Sequence, residues 1–150
     1  MKYLLDTNIC IYLIKRKPVR VMKGFNAHSV GEIGVSSITV SELWYGVAKS
    51  KQRKVNRQAL EQFLLPLTVV AFDEDAAEVY GEIRAALERA GQPIGAMDML
   101  IAAQAVSRGV VLVTNNEREF SRVPRLMVEN WATSPSPSPS PNFEEGEGSR

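Results

Sequence analysis

Short, nearly continuous apolar runs alternate along the chain with longer stretches in which apolar residues recur every three or four positions. The runs at 3–5, 33–38, 67–72, 110–114 and 126–128 are rich in Val, Ile and Leu and predict five strands. Polar residues do not alternate within most of them, which suits a parallel sheet covered on both faces. Helical spacing predicts helices over 8–16, 40–49, 56–65, 75–90 and 97–108, and Pro18 can open a further one. In 75–90, Val79, Ile83 and Leu87 share one face, and Gly91 with Pro93 beyond it supplies the stop; Gly109 stops the next helix. A short helix follows the fourth strand. This succession predicts an α/β domain with a mostly parallel five-stranded sheet. No internal repeat is visible.

Composition adds a boundary. The last stretch, TSPSPSPSPNFEEGEGSR, alternates Ser and Pro and then turns acidic and glycine-rich. It has too little apolar surface to bury and is expected to be an extended linker or scar at 133–150, outside the folded domain at 1–132. The whole chain of 150 residues carries a net charge of +1. The tail holds Glu144, Glu145, Glu147 and Arg150, a net of −2, so the body is +1 − (−2) = +3. Its cations cluster twice: Lys15, Arg16, Lys17, Arg20 and Lys23, then Lys49, Lys51, Arg53, Lys54 and Arg57. Solvated helix ends explain such clusters; so does a rim that tracks phosphates. No apolar run is long enough to span a membrane, and no signal peptide is read at the start. Cys10 is the only cysteine, which fits a reducing, cytoplasmic compartment.

Candidate chemistry lies at the strand ends, where open α/β sheets bind ligands. Asp6 ends the first run, in LLDTN. Glu42 follows the second, in TVSELWYG. Asp98 begins an apolar helix, in IGAMDMLIAA. Asn116 and Glu119 follow the fourth run, in NNEREF. Each has a purely structural role available to it. Asp6 can cap the next helix, although Thr7 or Asn8 can do so instead. Thr39 and Glu42 match a capping box. Asp98 suits the positive end of a helix dipole, and Asn116 can cap a short helix while Glu119 lies in solvent.

Taken together the acids imply something else. Carboxylates converging on one cleft repel one another unless a cation lies among them, and oxygen-only ligation selects Mg²⁺ or Mn²⁺. Such an ion supports hydrolysis at phosphorus without a histidine. The only histidine, His28, lies in the polar loop AHSVGE and is expected to be solvated. Phosphate-binding P-loop, dinucleotide and nucleophile-elbow motifs are all absent. The position two residues after Asp6 is Asn8, not the second acid of a haloacid-dehalogenase phosphatase, and VLVTNNE lacks the lysine of a response-regulator receiver. Cys10 is expected in the core; Trp44 and Tyr45 are read as packing residues, with base stacking as the alternative.

Four blocks, LLDTN, SSITVSELWYG, IGAMDMLIAA and LVTNNEREF, resemble the PIN-domain family, and specifically its VapC-type toxin ribonucleases. The resemblance implies a PIN-like three-layer fold, with helices on both faces of a parallel five-stranded sheet. It implies that Asp6, Glu42 and Asp98 bind Mg²⁺, that the protein is a homodimer, and that a cognate VapB-type antitoxin neutralises it by covering the cleft. Structured RNA is the implied substrate: transfer or ribosomal RNA, with initiator tRNA first because relatives similar in all four blocks cut it. Asn116 departs from the acid found there in many relatives, and Glu119 can supply the missing charge. Two other classes stay open: a non-catalytic PIN-like binding module, and a small metal-dependent phosphatase or 5′ nuclease.

Overall fold

Leu4 and Leu5 are both fully buried, yet they belong to different cores. Successive strand residues point to opposite faces, so a strand buried on both sides must be apolar throughout. The computed structural model of the chain describes residues 1–132, and the expected tail at 133–150 lies outside the described residues. Its strands are β1 (Tyr3–Leu5), β2 (Ile33–Ser36), β3 (Thr68–Val70), β4 (Val111–Val113) and β5 (Met127–Glu129). They form one sheet in the order β3-β2-β1-β4-β5, and all four pairings are parallel.

Leu5, Val35 and Val113 pack on one face with α1 (Thr7–Lys15), α2 (Val19–Asn26), α3 (Ser37–Lys49) and α4 (Arg53–Leu64). Leu4, Val70 and Leu112 pack on the other with α5 (Glu74–Arg89), α6 (Ala96–Arg108) and α7 (Glu117–Phe120). The result is the expected three-layer sandwich, and Cys10 is buried in the first core. Gly109 ends α6 with φ 66, a left-handed turn that costs glycine nothing. Between β2 and β3, a Cβ on Gly34 would overlap the Met1 side chain and come within 3.0 Å of the Thr68 carbonyl.

Three local expectations are corrected. Helix α3 begins at Ser37, not at 40, because the Ser36 hydroxyl accepts from the Ile38 N–H at 2.9 Å and shortens β2 to Ile33–Ser36. Pro18 precedes α2 as its cap residue rather than opening it. His28 is not simply solvated: its ring stacks on Trp131 at 5.3 Å and tilts against Tyr3 at 4.4 Å. Trp131 is itself nearly buried and closes the first core from beyond β5.

Candidate active site

The strand order reverses beside β1: the chain moves from β1 to β2 and β3 on one side, then crosses to β4 and β5 on the other. A crevice opens at the carboxyl ends of strands where such a reversal occurs. Leu5 pairs with Val113 of β4 and Val35 of β2 in the parallel register, so the next residues, Asp6, Thr114 and Ser36, fall on one edge. The Asp6 N–H donates to the Val113 carbonyl at 3.0 Å, fixing that edge.

Asp6 has two tasks there. It is the N-cap of α1, its Oδ1 accepting from the Ile9 N–H at 2.9 Å, so neither Thr7 nor Asn8 is the cap. Its Oδ2 accepts from the Thr114 hydroxyl. Asp6 is only 5% exposed, and burial pushes its carboxyl up to about 6; the Thr114 hydroxyl and the Ile9 N–H oppose the shift, while Asp98 and Glu42 add to it.

Asp98 stands in the first turn of α6, whose N-cap Gly95 has no side chain to offer. It is half-buried. Burial raises its pKa first, then the negative charges of Glu119 and Glu42. Glu42 does not belong to a capping box, because α3 starts earlier than Thr39; instead its carboxylate accepts from the Thr7 hydroxyl at the start of α1. Asn116 donates from its N–H to the Thr114 Oγ1 at 2.9 Å and from Nδ2 to Glu119 Oε1 at 3.2 Å. It precedes α7 without capping it through its side chain.

The fold thus brings Asp6 within electrostatic reach of Asp98 and Glu42, and Asp98 within reach of Glu42 and Glu119, with Asn116 hydrogen-bonded to Glu119. Sequence reasoning missed Thr7 and Thr114, the hydroxyls that hold two of the acids. Thr114 was legible only as the polar end of an apolar run. Asn115, in the loop beyond the fourth run, donates from its Nδ2 to the Tyr12 hydroxyl at 2.7 Å.

The donor set suits a hard divalent cation: every candidate ligand is oxygen, and the carboxyls of Asp6 and Asp98 are raised by burial first and by neighbouring negative charge after it. As the side chains stand, no three His, Cys, Asp or Glu among the described residues enclose a common point. Asp6 and Glu42 are held by neighbouring hydroxyls instead. An apolar groove of about 250 Å³ runs from Glu42 between α1, α3 and α4, lined by Ile11, Ile14, Leu43, Val47 and Leu60.

The model of the PIN domain family matches residues 3–126. The chain is 46% identical over 132 residues to the tRNA(fMet)-specific endonuclease VapC of Shigella flexneri, covering 88% of this chain and 99% of that protein. Its fold is similar to that of VapBC from Salmonella typhimurium bound to DNA, with TM-score 0.83 and 45% identity over 87% of this chain and 98% of that one. VapBC2 from Rickettsia felis, bound to a fragment of its promoter, gives TM-score 0.81 and 41% identity over 87% and 99%.

Proposed function

The chain belongs to the PIN-domain family, among its VapC ribonucleases, and from that premise we propose that it is a metal-dependent endoribonuclease toxin that cuts initiator tRNA. The observation that carries the reading is the placement of Asp6 at the carboxyl edge of β1 and β4, held by Thr114, with Glu42 and Asp98 near enough for their charges to act on it and Glu119 near Asp98. Asp6, Glu42 and Asp98 are the residues that would hold Mg²⁺, or Mn²⁺ in its place. When bound, such an ion supplies a water of lowered pKa and charge stabilisation at phosphorus.

The chain's own residues prepare the place. Thr114 and the start of α1 fix both oxygens of Asp6 at the strand end, and Thr7 holds Glu42 across the gap between α1 and α3. Asn116 adds an amide rather than a charge and steadies Glu119. Burial of Asp6 disfavours its ionised form and makes that form depend on a compensating positive charge.

A VapB-type antitoxin is the proposed partner, supported by the VapBC complexes that this chain resembles. Its segment would cover the acidic cleft, and the apolar groove beside Glu42 offers it a seat. A homodimer is proposed from the family and the basic body. No helix among the described residues is long and apolar enough to cross a membrane. The second reading, a non-catalytic binding module, draws on Asn116, which leaves the site one carboxylate poorer than it would be with Asp there.

Expression of the chain without a partner, followed by sequencing of new 5′ ends in cellular RNA, separates the two. Cleavage concentrated in initiator tRNA and lost in Asp6→Asn supports the nuclease. Intact RNA at high expression of folded protein rejects it.

A further inference from the structure

Among the described residues Tyr45 is the only aromatic side chain that is exposed; 65% of its surface meets solvent. It was expected to pack, as its neighbour Trp44 partly does. Its position is more informative than its exposure. Tyr45 lies three residues after Glu42 on α3, and residues so spaced are neighbours on one side of a helix. At Gly46 an added Cβ would meet nothing within 4 Å, so the helix surface next to the ring is clear.

Cations surround this stretch. The Lys49 ammonium sits over the Tyr45 ring, 4.8 Å from its centre, and the Arg57 guanidinium over that of Trp44, 5.0 Å from its centre, so a base stacking on Tyr45 takes the face opposite Lys49 or displaces it. Arg57 is also paired with Glu61 at 3.3 Å, so part of its charge is committed. Lys49, Lys51, Arg53 and Lys54 have no acidic partner within 4.0 Å among the described residues. These cations occupy the end of α3, the turn after it and the first residues of α4. An exposed aromatic ring beside a run of cations without acidic partners is the combination that holds a nucleic-acid strand, stacking its bases and tracking its phosphates.

Resting on the ribonuclease reading above, we infer that Tyr45 is a stacking platform for an unpaired base of the RNA substrate, and that Lys49, Lys51, Arg53 and Lys54 hold the phosphates that flank it. The platform keeps the strand beside Glu42. Because any base has a π-face, Tyr45 favours unpaired RNA without reading its sequence. The cations supply the salt-dependent part of the affinity.

The test uses full-length Asp98→Asn protein, a labelled initiator-tRNA transcript and fluorescence anisotropy over a range of salt concentrations. Adding Tyr45→Ala is expected to weaken binding about tenfold with an unchanged slope of log affinity against log salt, and Tyr45→Phe to bind as the parent does. Adding Lys54→Ala is expected to reduce that slope by about one. Affinity of Tyr45→Ala within about twofold of the parent, while wild-type protein still cleaves the transcript, overturns the platform and leaves the nuclease reading standing. Loss of self-association in light scattering with unchanged RNA affinity overturns it in favour of a second copy on this face. Wild-type protein that neither binds nor cleaves RNA overturns both readings.

Discussion

Asp6 and Thr114, 108 positions apart in sequence, share a buried hydrogen bond in which the Thr114 hydroxyl donates to the Asp6 carboxylate. The parallel register of β1 with β4 creates it, since each residue directly follows its strand. Thr114 thereby joins the site to a second contact, because the same oxygen accepts from the Asn116 N–H. Thr114→Val should remove both, lower metal affinity, and cost about 1–3 kcal/mol of stability. Thr114→Ser should restore most of each. Titration calorimetry with Mn²⁺ and denaturant melts on the three proteins check this; equal Mn²⁺ affinity in all three would remove Thr114 from the site.

Replacing a site acid should cost activity but not stability. Asp6→Asn keeps an acceptor for the Ile9 N–H while removing a buried charge that Asp98 and Glu42 repel. Both it and Asp98→Asn are expected to abolish RNA cleavage and, without metal, to melt at or above the wild-type temperature. Melting well below wild type with cleavage retained per folded molecule would make these residues caps and nothing more.

The pH dependence of the metal-free protein follows from the same burial. The Asp6 carboxyl is raised from 3.8 to about 6 in the fold, so the native state binds its proton more tightly than the unfolded chain does. The stability this contributes is fully present below pH 3.8 and is lost as pH rises through about 6. Between pH 5 and 7.5 the loss amounts to about 1.4 kcal/mol. Asp98 acts in the same direction. Urea melts in EDTA at the two pH values should show the decline in wild type and a smaller one in Asp6→Asn; parallel behaviour of the two proteins would contradict it.

Metal dependence should separate Asn116 from Glu119. Only Glu119 carries charge, and that charge reaches Asp98. Glu119→Gln should therefore raise the Mg²⁺ concentration for half-maximal cleavage more than Asn116→Ala does. Asn116→Asp should lower it, the added carboxylate favouring the cation. Excess EDTA should stop cleavage in every variant. A wild-type titration curve for Glu119→Gln would leave the ion to Asp6, Glu42 and Asp98 alone.

Self-association is open to a direct measurement. Light scattering at high micromolar concentration should give the mass of two chains. An active monomer would take the dimer out of the mechanism.

Much was legible in the sequence because strand and helix periodicities are local. All five strands appear where continuous apolar runs predict them, to within a few residues, and Gly109 stops α6 as expected. That the candidate residues offer only oxygen was also legible, since residue types need no fold to be read. Boundaries were less so: Thr39 and Glu42 imitate a capping box, but Ser36, three residues earlier, caps α3 in fact. His28 and Tyr45 were misjudged for a related reason. Whether a ring stacks on Trp131 or faces water depends on what distant segments bring beside it.

What only the tertiary structure decided is the convergence. Asp98 precedes β4 rather than following a strand, so nothing in its own neighbourhood places it with Asp6. The order β3-β2-β1-β4-β5 does so, by setting β4 against β1 and turning α6 to start at the carboxyl edge. Strand order is a matter of pairing between segments far apart in the chain, and local periodicity carries no record of it. The contacts from Thr7 to Glu42 and from Thr114 to Asp6 depend on the same pairing, which is why the sequence offered Asp6 and Glu42 as candidates without the hydroxyls that hold them.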